Sequence, residues 1–329
     1  MPIRTRLTER LDLRHPIMLA PMALVSGGAL ASAVTGAGGL GMIGGGYGDE
    51  AWLRRALAAA GNQRVGCGFI TWSLAQQPHL LDLALEHRPA SVMLSFGDPA
   101  PFAPKVKAAG IPLICQVQTL AHAREALAAG ADILVAQGTE AGGHGATRGT
   151  IALAPAVVDL AAREVREVLV LAAGGIADGR GLAAALALGA DGVLVGTRFY
   201  AAAESLAPDA VKRRITDIGG DDTLRTSVFD IVREKDWPKP FTIRGARNAL
   251  TAEWQGREAE LAAEGKGAVE RYNQAVSALD LEIMGVFAGE GADLIADVAP
   301  AATLLERMAA EAEAALTRAA SLIRQGLPG

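Results

Sequence analysis

Eight short apolar runs, spaced almost regularly through the first two thirds of the chain, restrict its fold more than any other feature. They are Ile17–Ala20, Leu40–Ile43, Val65–Ile70, Ser91–Ser95, Pro112–Val117, Ile133–Gln137, Leu169–Ala173 and Gly192–Gly196. Most begin about 20 to 26 residues apart, room for a strand, a returning helix and two loops, which is the repeat of parallel βα structure. The runs are continuously hydrophobic and do not alternate, as strands covered on both faces require. Between them lie Ala-rich stretches such as Ala51–Ala60, Thr119–Ala129 and Gly179–Leu188, each followed by Gly, a frequent helix stop. Eight such units predict an α/β fold, the TIM (β/α)8 barrel, with its active site at the carboxyl ends of the strands. A doubly wound open sheet is the rival, because periodicity alone does not show closure.

After Tyr200 the pattern changes. Lys212–Arg214, Asp221-Asp222 and Arg233–Pro240 bring charge, proline and aromatics, and Glu253–Leu281 reads as polar helices. The expected organisation is a barrel over 1–203, an inserted, smaller, largely helical substrate or cap domain over 204–285, and a C-terminal segment over 286–329 that returns to the barrel. Ala301–Arg324 reads as its closing amphipathic helix. The longest gap between runs, from Gln137 to Leu169, holds a glycine-rich loop, and long loops inside compact domains are often functional.

With 31 Lys+Arg against 36 Asp+Glu the formal charge is -5, which supplies no global basic field for nucleic acid. The two cysteines, Cys67 and Cys115, sit in apolar runs and make neither a disulfide framework nor a zinc site. A reducing, cytoplasmic setting is expected. Ile17 to Gly48 carries no charged side chain and has the length of a membrane span, but Pro21 and ten following glycines would break a continuous helix. Strand, short helix, strand accommodates every break, so no membrane partner is expected.

Three loops carry chemistry. Ala173-Gly174-Gly175-Ile176 and Gly196-Thr197-Arg198-Phe199 follow the seventh and eighth runs, and in a barrel they meet on one face. Glycines there let backbone N–H groups approach an anion, and barrels often bind phosphate at this place. The plain alternative is a pair of tight strand-to-helix turns. Gly36-Ala37-Gly38-Gly39-Leu40-Gly41 also spells G-x-G-x-x-G, but it precedes a strand and opens no helix, so it is not a dinucleotide fingerprint. The third loop, Ala136-Gln137-Gly138-Thr139-Glu140-Ala141-Gly142-Gly143-His144-Gly145, brings a histidine to the barrel mouth, where it is the best general base in the chain. Glu140 and His144 are separated by glycines that oppose the helical face a metal pair needs, so no metal is expected. His15, His79, His87 and His122 read as surface or packing residues. Trp237 and Phe241 bracket Pro-Lys-Pro in the insertion, either as a surface loop with its aromatics tucked into a minor core or as a lid.

Together with Ala20-Pro21-Met22 and Gly39-Leu40-Gly41, these loops resemble, in order, the nitronate monooxygenases, formerly called 2-nitropropane dioxygenases. The match spans almost the whole barrel and extends more weakly to Ala288-Gly289-Glu290-Gly291-Ala292. The resemblance implies an FMN-binding TIM barrel with an inserted substrate domain. It places Pro21, Met22 and Ala23 along the flavin ring, Gln116 and Gln137 against it from the ends of strands five and six, and Gly142 nearby. Gly174, Gly175, Gly196 and Thr197 would hold the phosphate, and His144 would face the substrate. The chain departs from many relatives at Gly68, where an Asn is common, and at Gln116, where some carry Lys. The implied activity is FMN-dependent oxidative denitrification of alkyl nitronates, and of nitroalkanes, with O2 to carbonyl compounds and nitrite. The rival is an FMN-dependent NAD(P)H reductase of quinones or enoyl thioesters, since related enoyl-acyl-carrier-protein reductases carry a similar Glu-Ala-Gly-Gly-His loop.

Overall fold

A computed structural model describes residues 3–324; residues 1, 2 and 325–329, the outer ends of the expected first and last segments, lie outside the described residues. In chain order the strands are β1 (Ile17–Leu19), β2 (Met42–Gly44), β3 (Gly66–Ile70), β4 (Val92–Ser95), β5 (Leu113–Val117), β6 (Ile133–Gln137), β7 (Gly143–Gly145), β8 (Leu169–Ala173), β9 (Gly192–Val195), β10 (Thr223–Thr226) and β11 (Thr242–Ala246). Eight of them pair in parallel in the order β1-β9-β8-β6-β5-β4-β3-β2. A parallel bridge between Met18 and Leu40 joins the two ends: the Leu19 amide donates to the Leu40 carbonyl at 2.9 Å and the Leu40 amide to the Ile17 carbonyl at 3.1 Å. The sheet is therefore a closed barrel, and the open-sheet alternative falls. Each of the eight apolar runs overlaps one of these strands. The second begins two residues late, because Leu40 makes the closing bridge before regular pairing starts at Met42↔Gly66.

The barrel interior is filled by Met18, Met42, Met93, Ile114, Ile133, Val135, Leu169, Leu171 and Leu194, all buried. A short helix, Arg6–Leu11, closes the amino-terminal end by adding Leu7 to that cluster. It is held by a two-pronged ion pair from Arg6 to Asp191, both N–O distances 2.7 Å, at the start of β9. With that end plugged, the carboxyl ends of the strands form the only mouth left to a barrel of this size. Outside, the long helix Ala301–Arg324 packs on helices Gly179–Ala187 and Gly28–Gly36. A methyl group at Gly179 would overlap the Ala312 amide, so the small residues of the chain permit backbone-to-backbone approach of these helices.

The segment 204–285 contains the helices Asp209–Asp217, Val228–Val232, Ala249–Trp254, Glu258–Glu264 and Lys266–Ala278. It also contains β10 and β11, which were not legible as strands. They form an antiparallel ribbon, and β11 pairs in turn with β7 of the barrel's glycine-rich loop, Ile243 opposite His144. Among the described residues no helix is long and apolar enough to cross a membrane, and the stretch from 17 to 48 forms strand, helix and strand. Cys67 and Cys115 are free and buried, and burial pushes both thiols up to about 12, which leaves them protonated and unreactive.

Candidate active site

The mouth of the barrel brings the sequence-predicted residues onto one rim. Pro21, Met22 and Ala23 leave β1 half-buried, in a turn fixed by Ser26, whose hydroxyl accepts from the Met22 amide at 2.7 Å. The ring of Pro21 fills the space that any side chain at position 68 would enter. Gly68 is thus demanded by the β1 turn, and the departure from an Asn there has a steric cause in this chain.

Across the mouth, three glutamines form a relay. Gln116 and Gln118 donate from Nε2 to Gln137 Oε1 at 3.1 and 2.9 Å, and Gln137 Nε2 donates to the His144 carbonyl at 3.0 Å. Gln118 was not singled out from the sequence. It stands two residues beyond Gln116, so a period-two reading of the strand exit would have placed both on one face. The relay ties the ends of β5 and β6 to the strand that carries the histidine.

β8 and β9 are adjacent, with Ala173 opposite Leu194, so the loops 174–176 and 196–199 lie side by side. Gly174 and Gly175 have φ of +102° and +73°, a backbone that strongly favours glycine. Gly196 has only ordinary room around a notional Cβ, 3.6 Å from Ala20 Cβ and 3.9 Å from Met22 Sδ, so its open side faces the rim of β1. A third wall comes from the late glycines: the Gly289 amide donates to Thr197 Oγ1 at 3.1 Å, and a Cβ at Gly291 would lie 3.2 Å from the Gly175 carbonyl. Gly142 crosses this segment backbone to backbone, where a Cβ would be 2.7 Å from the Gly289 nitrogen. Glu140 is occupied locally, its carboxylate accepting from the Thr150 amide and hydroxyl at 2.8 to 2.9 Å. Among the described residues no group of three His, Cys, Asp or Glu is placed to hold a metal ion.

His144 is 8% exposed, and its Nε2 lies 2.9 and 3.1 Å from the two carboxylate oxygens of Asp230, itself buried. A carboxylate only accepts, so Nε2 carries the hydrogen and Nδ1 keeps its lone pair. Among the described residues nothing donates to Nδ1. Burial lowers the imidazole pKa below its usual 6.5, against the raising influence of Asp230 and with Arg233 and Arg225 adding to the lowering. The histidine is therefore neutral at neutral pH, the form a base needs. Asp230 was missed by sequence reading, although a lone carboxylate within Val228-Phe229-Asp230-Ile231-Val232 is itself a sign of a buried partner.

The Trp237 indole lies on one face of His144 and donates from Nε1 to the Tyr47 hydroxyl at 3.2 Å. Phe96 and Phe241 pack edge-on, Phe96 at 5.1 Å from Trp237 and 5.2 Å from Phe241 between ring centroids. Trp237 is 9% exposed, tucked in among these rings. His122, read as a packing or surface residue, stands beside Phe241 at 5.9 Å and lines a cavity there. His79 and His87 have local roles: His79 pairs with Glu50 at 3.2 Å, and His87 Nδ1 meets the Leu83 carbonyl at 2.9 Å.

Two arginines of the insertion fasten the histidine loop. Arg225 donates to the carbonyls of Thr139, Ala141 and Thr242 at 2.7 to 3.2 Å, and burial lowers its pKa to about 10. Arg244 donates to the Thr139 carbonyl at 3.0 Å and pairs with Glu290 at 2.7 Å. A family model described as nitronate monooxygenase matches residues 4–64 and 68–311, which span the barrel, these loops and the insertion. The chain belongs to the nitronate monooxygenase family. A nitronate monooxygenase of Neurospora crassa is 33% identical over 344 residues, covering 91% of this chain and 90% of that protein. Among solved structures, FabK from Thermotoga maritima superimposes with a TM-score of 0.82 at 31% identity, covering 99% of this chain and all of the other. A nitroalkane oxidase from Streptomyces ansochromogenes gives 0.76 at 29% identity, covering 94% and 99%. The protein is accordingly an oxidoreductase of the nitronate monooxygenase type.

Proposed function

We propose that the protein carries out FMN-dependent oxidative denitrification of alkyl nitronates, forming a carbonyl compound and nitrite with O2, and that neutral nitroalkanes enter after loss of their α-proton. The observation that carries this reading is the buried His144–Asp230 pair beside a glycine-walled cradle on one barrel mouth. The cradle fits a flavin mononucleotide: Gly174 and Gly175 adopt backbone that excludes side chains, and a side chain at Gly196 would fill the space over the end of β1. Gly174, Gly175, Gly196 and Thr197 would hold the phosphate through backbone and hydroxyl donors, with Gly289 and Gly291 closing the third side. Pro21, Met22, Ala23, Gln116, Gln137 and Gly142 would border the ring. A flavin held there would supply the redox chemistry, oxidation of the nitronate coupled to reduction of O2.

The chain's own residues do the rest. Nδ1 of His144 takes the carbon-bound proton of a neutral nitroalkane, and Asp230 holds the ring in the required tautomer and stabilises the imidazolium that forms. For a substrate that arrives as a nitronate, the proton step is already complete and the histidine serves as a hydrogen-bond partner. The aromatic cluster of Trp237, Phe96, Phe241 and Tyr47 excludes water from the chamber, which strengthens each electrostatic contact inside it. The 204–285 segment acts as the substrate cap. The cytoplasmic location expected from the cysteines belongs to the same reading.

The likeness to FabK, together with the Glu-Ala-Gly-Gly-His loop, favours a second reading as an NAD(P)H-dependent reductase of quinones or enoyl thioesters. Anaerobic mixing separates the two. Nitronates should bleach the flavin within a turnover time and release nitrite when air is admitted, whereas bleaching by NADH or NADPH alone, with nitronates inert, would overturn the monooxygenase reading.

A further inference from the structure

Next to the aromatic cluster the mouth continues sideways into empty space. One cavity of about 190 Å³ lies against Phe96, Gly97, Asp98, Gln116, Gln118 and Phe241. A second, of about 430 Å³, is bounded by Trp72, Pro78, Leu81, Gly97, Pro101 and Phe102, with Asp98 and Lys105 among its other walls. Both cavities touch Gly97 and Asp98. Gly97 has no side chain, and one oxygen of the Asp98 carboxylate accepts from the Ala100 amide at 2.9 Å. At Gly97 the divide between the two spaces is backbone alone. Trp72 borders the outer cavity while its ring lies 5.5 Å from Trp237, so one indole stands between the outer space and the ring stacked on His144.

Phe96 stands at the junction. It has φ of +64°, a left-handed backbone that a large aromatic residue rarely adopts. That conformation turns its ring onto Trp237 and Phe241, 6.4 Å from His144, and leaves Gly97 as the floor between the cavities. Strain of this kind persists where surrounding structure enforces it, commonly at ligand clamps. The walls of the outer cavity are mostly apolar, and its cation, Lys105, is already paired with Asp82 at 2.7 Å. An anionic group would find no unpaired cation there.

We propose that these two cavities form one binding site for the linear, uncharged alkyl chain of the substrate, whose reacting head lies under Trp237 beside His144. The chain runs past Phe96, over Gly97, and ends against Trp72, Pro78 and Phe102. The proposal deepens the functional reading above, and rests on it only for the identity of the reacting head. It makes the protein selective for long unbranched substrates over the smallest nitronates.

The test uses the flavin-loaded protein and two series of increasing length. Calorimetric titration with ethanol, 1-butanol, 1-hexanol and 1-octanol reads chain binding without turnover, and nitrite release from nitroethane, 1-nitrobutane, 1-nitrohexane and 1-nitrooctane reads it with turnover, each nitroalkane pre-equilibrated to its nitronate. Dissociation constants should fall about four-fold per methylene, the equivalent of ~0.8 kcal/mol, and kcat/KM should rise in step. Ala75→Trp and Pro101→Trp, at two exposed positions that line the outer cavity, should abolish the gain beyond four carbons and leave nitroethane turnover unchanged. A flat length dependence, an unaltered one in both tryptophan variants, or tighter binding of benzyl alcohol than of 1-hexanol would overturn the proposal. A length-dependent gain in alcohol binding without nitrite from any nitronate would keep the site and reject the nitronate reading instead.

Discussion

The imidazole of His144 lies flat on the indole of Trp237, ring centroids 3.3 Å apart and planes 9° from parallel. The imidazole is thereby held both by the Asp230 carboxylate and by an aromatic face. Trp237 lies in the 204–285 segment and His144 in the barrel's glycine-rich loop, so this stack links the two. Removing the indole should loosen substrate contact and admit water without disturbing the cradle. Trp237→Ala is expected to raise the Michaelis constant for nitronates by roughly 2- to 13-fold, the range of ~0.5–1.5 kcal/mol that such ring pairs contribute. Flavin content, measured by absorbance, should be unchanged; an unaltered Michaelis constant would deny the lid.

His144→Ala should separate the two kinds of substrate. A neutral nitroalkane needs its proton removed, and a positioned base contributes ~100- to 10,000-fold. A pre-formed nitronate loses only one hydrogen bond, about 1 to 3 kcal/mol or roughly 5- to 150-fold. Nitrite release from each, corrected for flavin content, measures both losses. Equal small losses would remove His144 from the role of base.

Asp230 raises the pKa of His144 while burial lowers it. In wild type the acid limb of kcat/KM for a neutral nitroalkane should therefore fall below pH 6.5, activity being lost as the imidazole takes a proton. Asp230→Asn removes the raising influence, so the limb should move further toward acid. The plateau should drop by roughly 10- to 150-fold, the loss of a charge-assisted hydrogen bond worth ~1.5–3 kcal/mol. A limb that stays in place, or moves toward neutral pH, would contradict the pairing.

Gly196→Val tests the cradle. Its notional Cβ makes only ordinary contacts with Ala20 and Met22, so the variant should fold. The added methyls would occupy the space over the end of β1, and the protein should purify with much less FMN, read by mass analysis of the released flavin. Gly175→Val adds backbone strain at φ +73° and should lose at least as much. Full flavin content in both variants would place the phosphate elsewhere.

Arg225 reaches three carbonyl groups of two separate segments, Thr139, Ala141 and Thr242. Arg225→Met keeps the stem and removes the donors. Urea unfolding should show a loss of ~1–3 kcal/mol, as expected when buried acceptors go unpaired, with the m-value unchanged. A loss below the scatter of repeat measurements would show that water satisfies those carbonyls.

The barrel was legible because strands buried on both faces must be apolar throughout, and the turns at Gly174 and Gly175 because their left-handed backbone leaves few other residues possible. The place of His144 at the barrel mouth was legible because its loop follows the sixth strand directly. Asp230 was not, since its partner is brought to it only by the tertiary fold. β10 and β11 were hidden for a different reason: four- and five-residue strands that carry Arg225 and Arg244 look like charged loop until one sees both arginines turned inward. Gly68 required the coordinates as well, because only the position of Pro21 shows why no side chain stands there.

The pairing of β7 with β11 sets a limit on how such proteins can be recombined. His144 sits in register with Ile243, and Gly143 with Arg244, so the strand bearing His144 is completed by a strand of the insertion. An insertion transplanted from a relative would bring its own ladder and a new carboxylate position with it. Substrate range and proton chemistry therefore cannot be exchanged as independent modules in this chain; a working chimera has to carry residues 138–146 and 223–246 together.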